Sequence, residues 1–174
     1  MTKGQARELY LRYLGEAKIN GSNKADPDLS DAFDYLLGPA LAYVAAQFPL
    51  IGREETQGRW QAPPGFWAVK EAREADGAPV AYEETGEGEY QFQAPCTVTY
   101  YRLPRETAPG AADNAELDVA EAAASLVPLK CAVDAAVASE AHAYKVGYLS
   151  QSYNTMAAAL TRDDPPQFQR RYQL

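Results

Sequence analysis

A single histidine, two cysteines and three pairs of adjacent carboxylates are the side chains of this sequence with the most obvious chemistry. His142 falls in a predicted helix beside Glu140, and we expect it to be a surface or interface side chain rather than a base or a metal ligand. The carboxylate pairs lie in predicted loops or turns, where solvated charge is the ordinary state and acid–base catalysis is not expected. These pairs are Glu54-Glu55, Glu83-Glu84 and Asp163-Asp164. The sequence therefore predicts neither a catalytic centre nor a zinc site.

The two cysteines lie in different predicted elements, Cys96 on a strand and Cys131 inside a helix. Both have apolar neighbours, so we expect two buried thiols that pack as small hydrophobic side chains, not a disulfide. Gly86-Glu87-Gly88 lacks the third glycine and the following helix of a dinucleotide-binding loop. We therefore expect no enzymatic activity, no cofactor and no metal.

The composition suits one domain of a reducing compartment. The chain has 174 residues and a net charge of -8, from 24 acidic and 16 basic residues. That charge argues against a protein whose main task is to grip phosphate backbones, although it suits a channel wall along which DNA slides. No apolar run approaches the roughly 18 residues that a membrane span needs. The start of the sequence leads into an amphipathic helix, so no secretory signal is expected.

The first of two predicted helical blocks covers residues 3–48. Thr2 and Gln5 match a capping box at its start, and Gly15 ends its first helix. The second helix of the block carries an apolar stripe and is expected to kink at Gly38-Pro39, because proline removes a backbone donor.

The second helical block covers residues 118–160. Asp118 and Glu121 match another capping box, and Pro128 is expected to bend or break the helix that follows. Alanines recur throughout this block, which allows close helix packing within the chain or against a neighbour.

Between the blocks, residues 60–103 read as four short strands. Asp76-Gly77 is the dipeptide of a type I′ hairpin turn, and residues 85–88 form a second turn. The last strand should turn alternate side chains to the core: Cys96, Val98 and Tyr100. Because so small a sheet needs support, we expect a helix to pack on one face. The fold class is α+β, a bundle of N- and C-terminal helices with an inserted small antiparallel β-sheet, and residues 1–164 form one domain.

Residues 165–174 are predicted to form an extended C-terminal arm. Pro165-Pro166 stops the preceding helix, and the sequence after it alternates polar and apolar residues, which permits strand addition to a sheet edge. Aromatic and arginine side chains dominate binding energy at interfaces. The predicted partner-binding residues are Phe168, Arg170, Arg171, Tyr172 and Leu174.

Tyrosines are numerous, twelve in all, and suit interfaces as well as cores. Most of the helical ones are expected to cap the intramolecular core: Tyr10, Tyr13, Tyr43, Tyr144, Tyr148 and Tyr153. An aromatic pocket around Trp60, Phe66 and Trp67 would instead make the chain a small enzyme or ligand-binding α+β domain.

The order of several short phrases resembles the head-to-tail adaptor proteins of tailed bacteriophages. They are Leu14-Gly15, Asp26-Pro27-Asp28, Pro63-Pro64-Gly65-Phe66, Val98-Thr99-Tyr100-Tyr101-Arg102, Leu117-Asp118-Val119-Ala120-Glu121, Leu126-Val127-Pro128-Leu129 and a tyrosine-rich last helix from Tyr144 to Leu160. The layout is most similar to the tail tubular gatekeeper type, with helices around a β portion. A long, Ala-rich linker at 108–116 departs from that pattern.

The resemblance implies a structural protein of the virion neck, assembled in the host cytoplasm. It would form a ring, expected to be a dodecamer, below the portal protein and join the capsid to the tail. DNA would pass through the ring without sequence-specific binding, and the partners would be the portal, adjacent copies and the next neck or tail protein. The C-terminal arm would attach to the portal or to an adjacent subunit. The alternatives are another neck or tail-completion protein, such as a stopper, and the non-phage ligand-binding domain.

Overall fold

The residues that the structure describes form four α-helices and two small antiparallel sheets, so the fold is α+β as expected. The computed structural model describes residues 1–16, 27–105 and 110–161. The helices are α1 (Lys3–Leu14), α2 (Pro27–Gln47), α3 (Leu126–Ala138) and α4 (Val146–Leu160). The strands are β1 (Leu50–Thr56), β2 (Arg59–Gln61), β3 (Phe66–Arg73), β4 (Tyr82–Gly86), β5 (Glu89–Phe92) and β6 (Cys96–Arg102).

Helix α1 begins and ends at the residues that the sequence predicts. The Gln5 backbone N–H donates to the Thr2 hydroxyl, and the Thr2 N–H donates to the Gln5 side chain at 2.9 Å, so the capping box is confirmed. Gly15 ends the helix in the left-handed conformation, at φ 78°, which glycine adopts without a Cβ clash. These contacts are local, which is why the sequence pattern sufficed.

The second helical block differs from its prediction. Helix α3 begins at Leu126 rather than at Asp118, and only a short 3-10 turn at Glu121–Ala123 precedes it. The predicted capping box is wrong, because the Asp118 carboxylate binds Arg102 instead. Pro128 therefore falls in the first turn of α3, where its missing N–H breaks no helical hydrogen bond, and it does not interrupt the block. Helix α2, by contrast, continues through Pro39.

The four helices pack around one hydrophobic core. Tyr10 of α1 meets Phe33 of α2 with ring centroids 5.3 Å apart. The remaining fully covered side chains come from all four helices and from the segment before α3: Ala6, Leu14, Leu37, Ala40, Val44, Ala123, Leu126, Val127, Leu129, Cys131, Ala132, Ala136 and Leu149. The many alanines let the helices approach closely, as their frequency in the sequence indicated.

The β part contains six strands rather than four, arranged as two three-stranded sheets in the orders β1-β6-β3 and β2-β5-β4. Strand β1 at Leu50–Thr56 precedes the predicted start of the β segment at residue 60. Its inward positions hold Gly52 and Glu54, so the apolar alternation that marks a strand is absent. Gly52 is needed because the Tyr100 ring, on the paired residue of β6, occupies the space that a Cβ would take.

The two sheets pack on one another, not on a helix as expected. Their shared core is lined by Val98 and Tyr100 of the first sheet and by Trp60, Tyr90 and Phe92 of the second. Cys96, Val98 and Tyr100 do face this core, as predicted. In the part of the chain that the structure describes, this cluster and the helical core share no residue.

The two hairpin predictions have different outcomes. The turn expected at residues 85–88 does join β4 to β5, with Glu87 and Gly88 as the residues between the two strands. After β3, the Glu74 N–H donates to the Ala78 carbonyl at 2.9 Å and the Gly77 N–H donates to the Glu74 carbonyl at 2.9 Å. The loop thus has three residues, with Gly77 at φ 89°, rather than a two-residue type I′ turn at Asp76-Gly77.

Candidate functional site

The predicted partner-binding residues lie outside the residues that the structure describes. They are Phe168, Arg170, Arg171, Tyr172 and Leu174, and the described chain ends at residue 161. Their role therefore stays a prediction, and the site must be sought on the surfaces that the folded part offers to a partner.

His142 lies in a turn between α3 and α4, not in a helix, and it is buried, with 9% of its surface exposed. Its Nδ1 atom lies 3.1 Å from the Ser139 hydroxyl oxygen, and its Nε2 atom lies 3.3 Å from a carboxylate oxygen of Glu16. The expected surface position is thus wrong, and Glu16, not Glu140, is the acidic partner. Serine, histidine and glutamate are also the residue types of a hydrolase triad.

The geometry around His142 favours a structural role over a catalytic one. The backbone N–H of His142 donates to the backbone carbonyl of Ser139 at 3.1 Å, so the contact between the two side chains lies within one local turn. The Lys145 ammonium donates to the Leu14 carbonyl in the last turn of α1. A cation at this end of a helix also interacts favourably with the helix dipole. Glu16 and Leu14 lie at the same end of α1. This cluster therefore tethers the end of α1 to the turn that precedes α4.

Both cysteines are free and buried, as predicted. Burial raises the pKa of the Cys131 thiol to about 12, and burial also raises the pKa of Cys96. A thiol attacks or binds metal as its thiolate, so neither cysteine is activated for chemistry at neutral pH. Across residues 1–16, 27–105 and 110–161, no group of three or more His, Cys, Asp or Glu side chains is arranged to hold a metal ion.

Two of the three aromatic side chains that the sequence suggested as a pocket pack in the β core, and the third is exposed. Trp60 and Phe66 meet edge to face at 5.5 Å inside the β core, whereas Trp67 is 45% exposed. Trp60 also contacts three further rings, at 5.6, 6.4 and 5.3 Å, those of Tyr90, Phe92 and Tyr100. The rings pack on each other, so they act as core.

Glu54 has a role that the sequence did not reveal. The Trp60 indole N–H and the Tyr100 hydroxyl both donate to its carboxylate, at 2.7 and 2.9 Å. Burial and then this hydrogen bond raise the pKa of Tyr100. Glu54 is therefore an acceptor for two core aromatic side chains and not simply a solvated charge beside Glu55.

The Arg102–Asp118 ion pair connects the two parts of the molecule. Arg102 is the last residue of β6, and Asp118 follows Leu117, which is buried in the helical core. The two side chains form parallel hydrogen bonds of 2.6 and 2.8 Å, and the Arg105 N–H adds a third at 2.8 Å. The guanidinium lowers the pKa of Asp118, and the carboxylate raises the pKa of Arg102.

A cleft opens between β3 and β4, which belong to different sheets. It measures about 470 Å³ and is lined by Lys70, Ala72 and Arg73 on one side and by Val80 and Tyr82 on the other. In the described structure β3 forms a ladder with β6 and β4 forms one with β5, while a bridge between Arg73 and Pro79 joins β3 to the segment before β4 at one end of the cleft. The cleft therefore lies between two strand edges, which are the parts of a sheet that accept further strands.

The outer faces of α2 and α4 carry no charge over much of their length. From Val146 to Leu160, α4 contains no charged residue, although 23% of the chain is charged. Tyr35 on α2, Tyr144 beside α4 and Tyr148 on α4 are 76%, 77% and 72% exposed. Tyr144 and Tyr148 therefore do not cap the core as expected, whereas Tyr10 and Tyr153 are buried as predicted. Tyr13 packs against the helical core, and Tyr43, although 48% exposed, contacts the Tyr153 ring at 5.9 Å, so the expected role fits both.

No described helix is long and apolar enough to cross a membrane. No protein-family model matches the sequence, and no curated protein matches it significantly.

Proposed function

We propose that this protein is a structural virion protein of the neck of a tailed bacteriophage. It forms a ring, a dodecamer, below the portal protein, joins the capsid to the tail and extends the channel through which DNA passes. The order of the sequence phrases similar to adaptor proteins supports this proposal. Its partners are the portal, adjacent copies and the next neck or tail protein.

The observation that carries the proposal is the uncharged outer surface of the helical part. An exposed helix of a monomer normally turns charged residues to water, yet the outer face of α4 offers Tyr148, Gln151, Thr155 and Ala158. From Tyr35 onward the exposed residues of α2 are likewise uncharged, namely Tyr35, Pro39, Ala42, Tyr43 and Ala46, whereas the acidic Asp28 and Asp31 lie in the preceding turns. Interfaces are depleted of charge at their centre and enriched in tyrosine, so these faces suit side-by-side packing of neighbouring copies.

The chemistry of the described residues also fits a function without turnover. The His142 cluster tethers α1, and both thiols have a raised pKa. We therefore propose that the protein acts by partner recognition alone. A net charge of -8 suits a channel that DNA must not adhere to.

Co-sedimentation with portal rings tests the proposal. The wild-type chain should sediment with the rings in a fixed ratio, and Thr155→Arg, which places a large charge at the middle of the α4 outer face, should reduce the bound fraction at least about tenfold. Glu121→Arg is the matched control, because it adds the same side chain at an exposed position outside that face. A wild-type chain that stays in the supernatant would refute the proposal, and equal binding of both variants would refute the role of α4.

A further inference from the structure

We propose that a hollow on the outer face of the first sheet, β1-β6-β3, binds a carboxylate, and that this carboxylate is Glu87 from the β4–β5 turn of a second copy. The hollow measures about 310 Å³ and is lined by residues of all three strands and of the loop after β3. This inference rests on the proposed function, because it assigns one contact between adjacent copies in the ring.

Two threonines of β6 form the floor of the hollow. Val98 and Tyr100 face the β core, so Thr97 and Thr99, which alternate with them, face the opposite side of the sheet. Thr99 is only 6% exposed, and its hydroxyl has no hydrogen-bond partner among the described residues. Because a nearly buried hydroxyl without a partner is costly, this position favours a ligand that accepts its hydrogen bond.

Two arginines flank the threonine floor, one from each neighbouring strand. Arg53 of β1 is paired with Thr99, and Arg73 of β3 is paired with Thr97. Side chains at paired positions of a sheet have Cβ atoms about 5 Å apart. Both guanidinium groups therefore lie within reach of one ligand on the floor.

Both guanidinium groups also have donors to offer. Arg53 is exposed and forms no hydrogen bond with any described residue. Arg73 donates from Nε to Glu71 at 2.8 Å and from Nη1 to the Gly77 carbonyl at 3.0 Å, which holds its side chain in place and leaves Nη2 for a ligand. Arginine binds carboxylates through charge-assisted hydrogen bonds, so the donor set suits a carboxylate.

The hollow and its surroundings keep a positive charge although two carboxylates, Glu71 and Glu74, line it. Lys70 lies close enough to Glu71 to act on it together with both arginines. The hydrogen bond from Arg73, with the charges of Lys70 and Arg53, lowers the pKa of Glu71. Three cations therefore face two carboxylates in a chain whose net charge is -8, and this local excess favours an anionic partner.

The β4–β5 turn offers a carboxylate of matching charge and shape. Glu87 is exposed, and it forms no ion pair or hydrogen bond with any described residue. Gly86 and Gly88 flank it, so no other side chain stands directly beside it and the tip of the turn is narrow. A hollow of about 310 Å³ has room for such a tip.

The turn that fills the hollow comes from a second copy. The second sheet packs on the inner face of the first sheet, whereas the hollow lies on the outer face, so the chain's own turn belongs to the far side of the sandwich. A contact between two different patches is heterologous, and such contacts close into rings when the rotation permits. Each copy then fills the hollow of one neighbour and receives the turn of the other.

Exchange of the two charges tests the proposal, with analytical ultracentrifugation of the full-length chain over a concentration series as the readout. The wild type should self-associate, and Arg53→Glu or Glu87→Arg alone should weaken self-association at least about tenfold, because each brings like charges together. The double variant Arg53→Glu/Glu87→Arg should associate nearly as well as the wild type. An equimolar mixture of the two single variants should also associate, because the turn of each one matches the hollow of the other.

Glu83→Arg is the matched control, because it reverses an exposed charge on β4 outside the turn and should leave self-association unchanged. Arg53 and Glu87 are both exposed, so every variant should fold, which circular dichroism checks. A monomeric wild type, a double variant that does not recover, or equal weakening by Glu83→Arg would overturn the site. Because no portal is present in this experiment, its failure leaves portal binding to be judged by co-sedimentation.

Discussion

Arg102 and Asp118 join the end of the β part to the start of the second helical block through two parallel hydrogen bonds. Both side chains are about three-quarters buried, with 25% and 23% exposed, and the two hydrophobic cores on either side of them are separate in the described structure. This ion pair therefore links the β part to the helical part, and each part has its own hydrophobic core.

We expect Asp118→Ala to lower the free energy of unfolding by about 1–3 kcal/mol, because it leaves the Arg102 guanidinium and the Arg105 N–H without their acceptor. Arg12→Met is the control, since it breaks an exposed ion pair with Glu8 that should contribute less than about 0.5 kcal/mol. Urea unfolding followed by circular dichroism measures both. Equal costs would show that the Arg102–Asp118 pair adds nothing beyond a surface contact.

Two carboxylates, those of Asp118 and Asp34, should make the stability of the protein depend on pH. Hydrogen bonding to Arg102 lowers the pKa of Asp118; for Asp34, burial acts in the opposite direction, but hydrogen bonds from Arg7 and Lys3 still lower its pKa. A depressed folded-state pKa gives stability that is complete above the unfolded pKa, about 4, and is lost as the pH falls through the folded value. The stability difference between wild type and Asp118→Asn should thus be constant above about pH 5 and shrink below it. A difference that grows in acid would contradict this assignment.

Gly52→Ala should destabilise the protein by about 1–3 kcal/mol, because the new methyl group would overlap the Tyr100 ring. Gly147→Ala is the control, since nothing lies within 4 Å of its added Cβ and alanine favours the helix by roughly 0.5–1 kcal/mol. The midpoint of thermal denaturation should therefore fall for Gly52→Ala and rise for Gly147→Ala. A neutral Gly52→Ala would mean that the ring moves aside at no cost.

Glu54→Leu should cost about 1–3 kcal/mol, because it leaves the Trp60 indole N–H and the Tyr100 hydroxyl without their shared acceptor. Glu55→Leu, the next residue of β1, lies on the opposite face and should change stability by less than about 0.5 kcal/mol. Urea titration followed by tryptophan fluorescence separates the two. Similar costs would indicate a general effect of lost charge on β1.

Local features of the fold could be predicted from the sequence, and long-range ones could not. Thr2 and Gln5 bind each other across three residues, so their types and spacing were enough. Asp118 shows the same capping pattern with Glu121. Its carboxylate instead binds Arg102, which lies 16 positions away in the sequence. A capping pattern alone does not reveal such a competitor.

The β part shows a second case in which a long-range contact could not be predicted from the sequence. Strand β1 was missed because Gly52 and Glu54 occupy its inward positions, which makes the pattern polar. The position of Tyr100 on β6 explains both residues. Its ring occupies the space beside Gly52, and its hydroxyl donates to the Glu54 carboxylate. Of the candidate surfaces, the C-terminal arm stays a prediction from the sequence, whereas the cleft required the three-dimensional placement of two strands.

Electron microscopy of the full-length protein mixed with the portal encoded beside it in the genome is the strictest test of the proposed function. We expect a closed ring on the tail-facing side of the portal, with the outer faces of α2 and α4 at the contacts between neighbouring copies. A portal without added density, or a protein that remains monomeric beside intact portal rings, would contradict it.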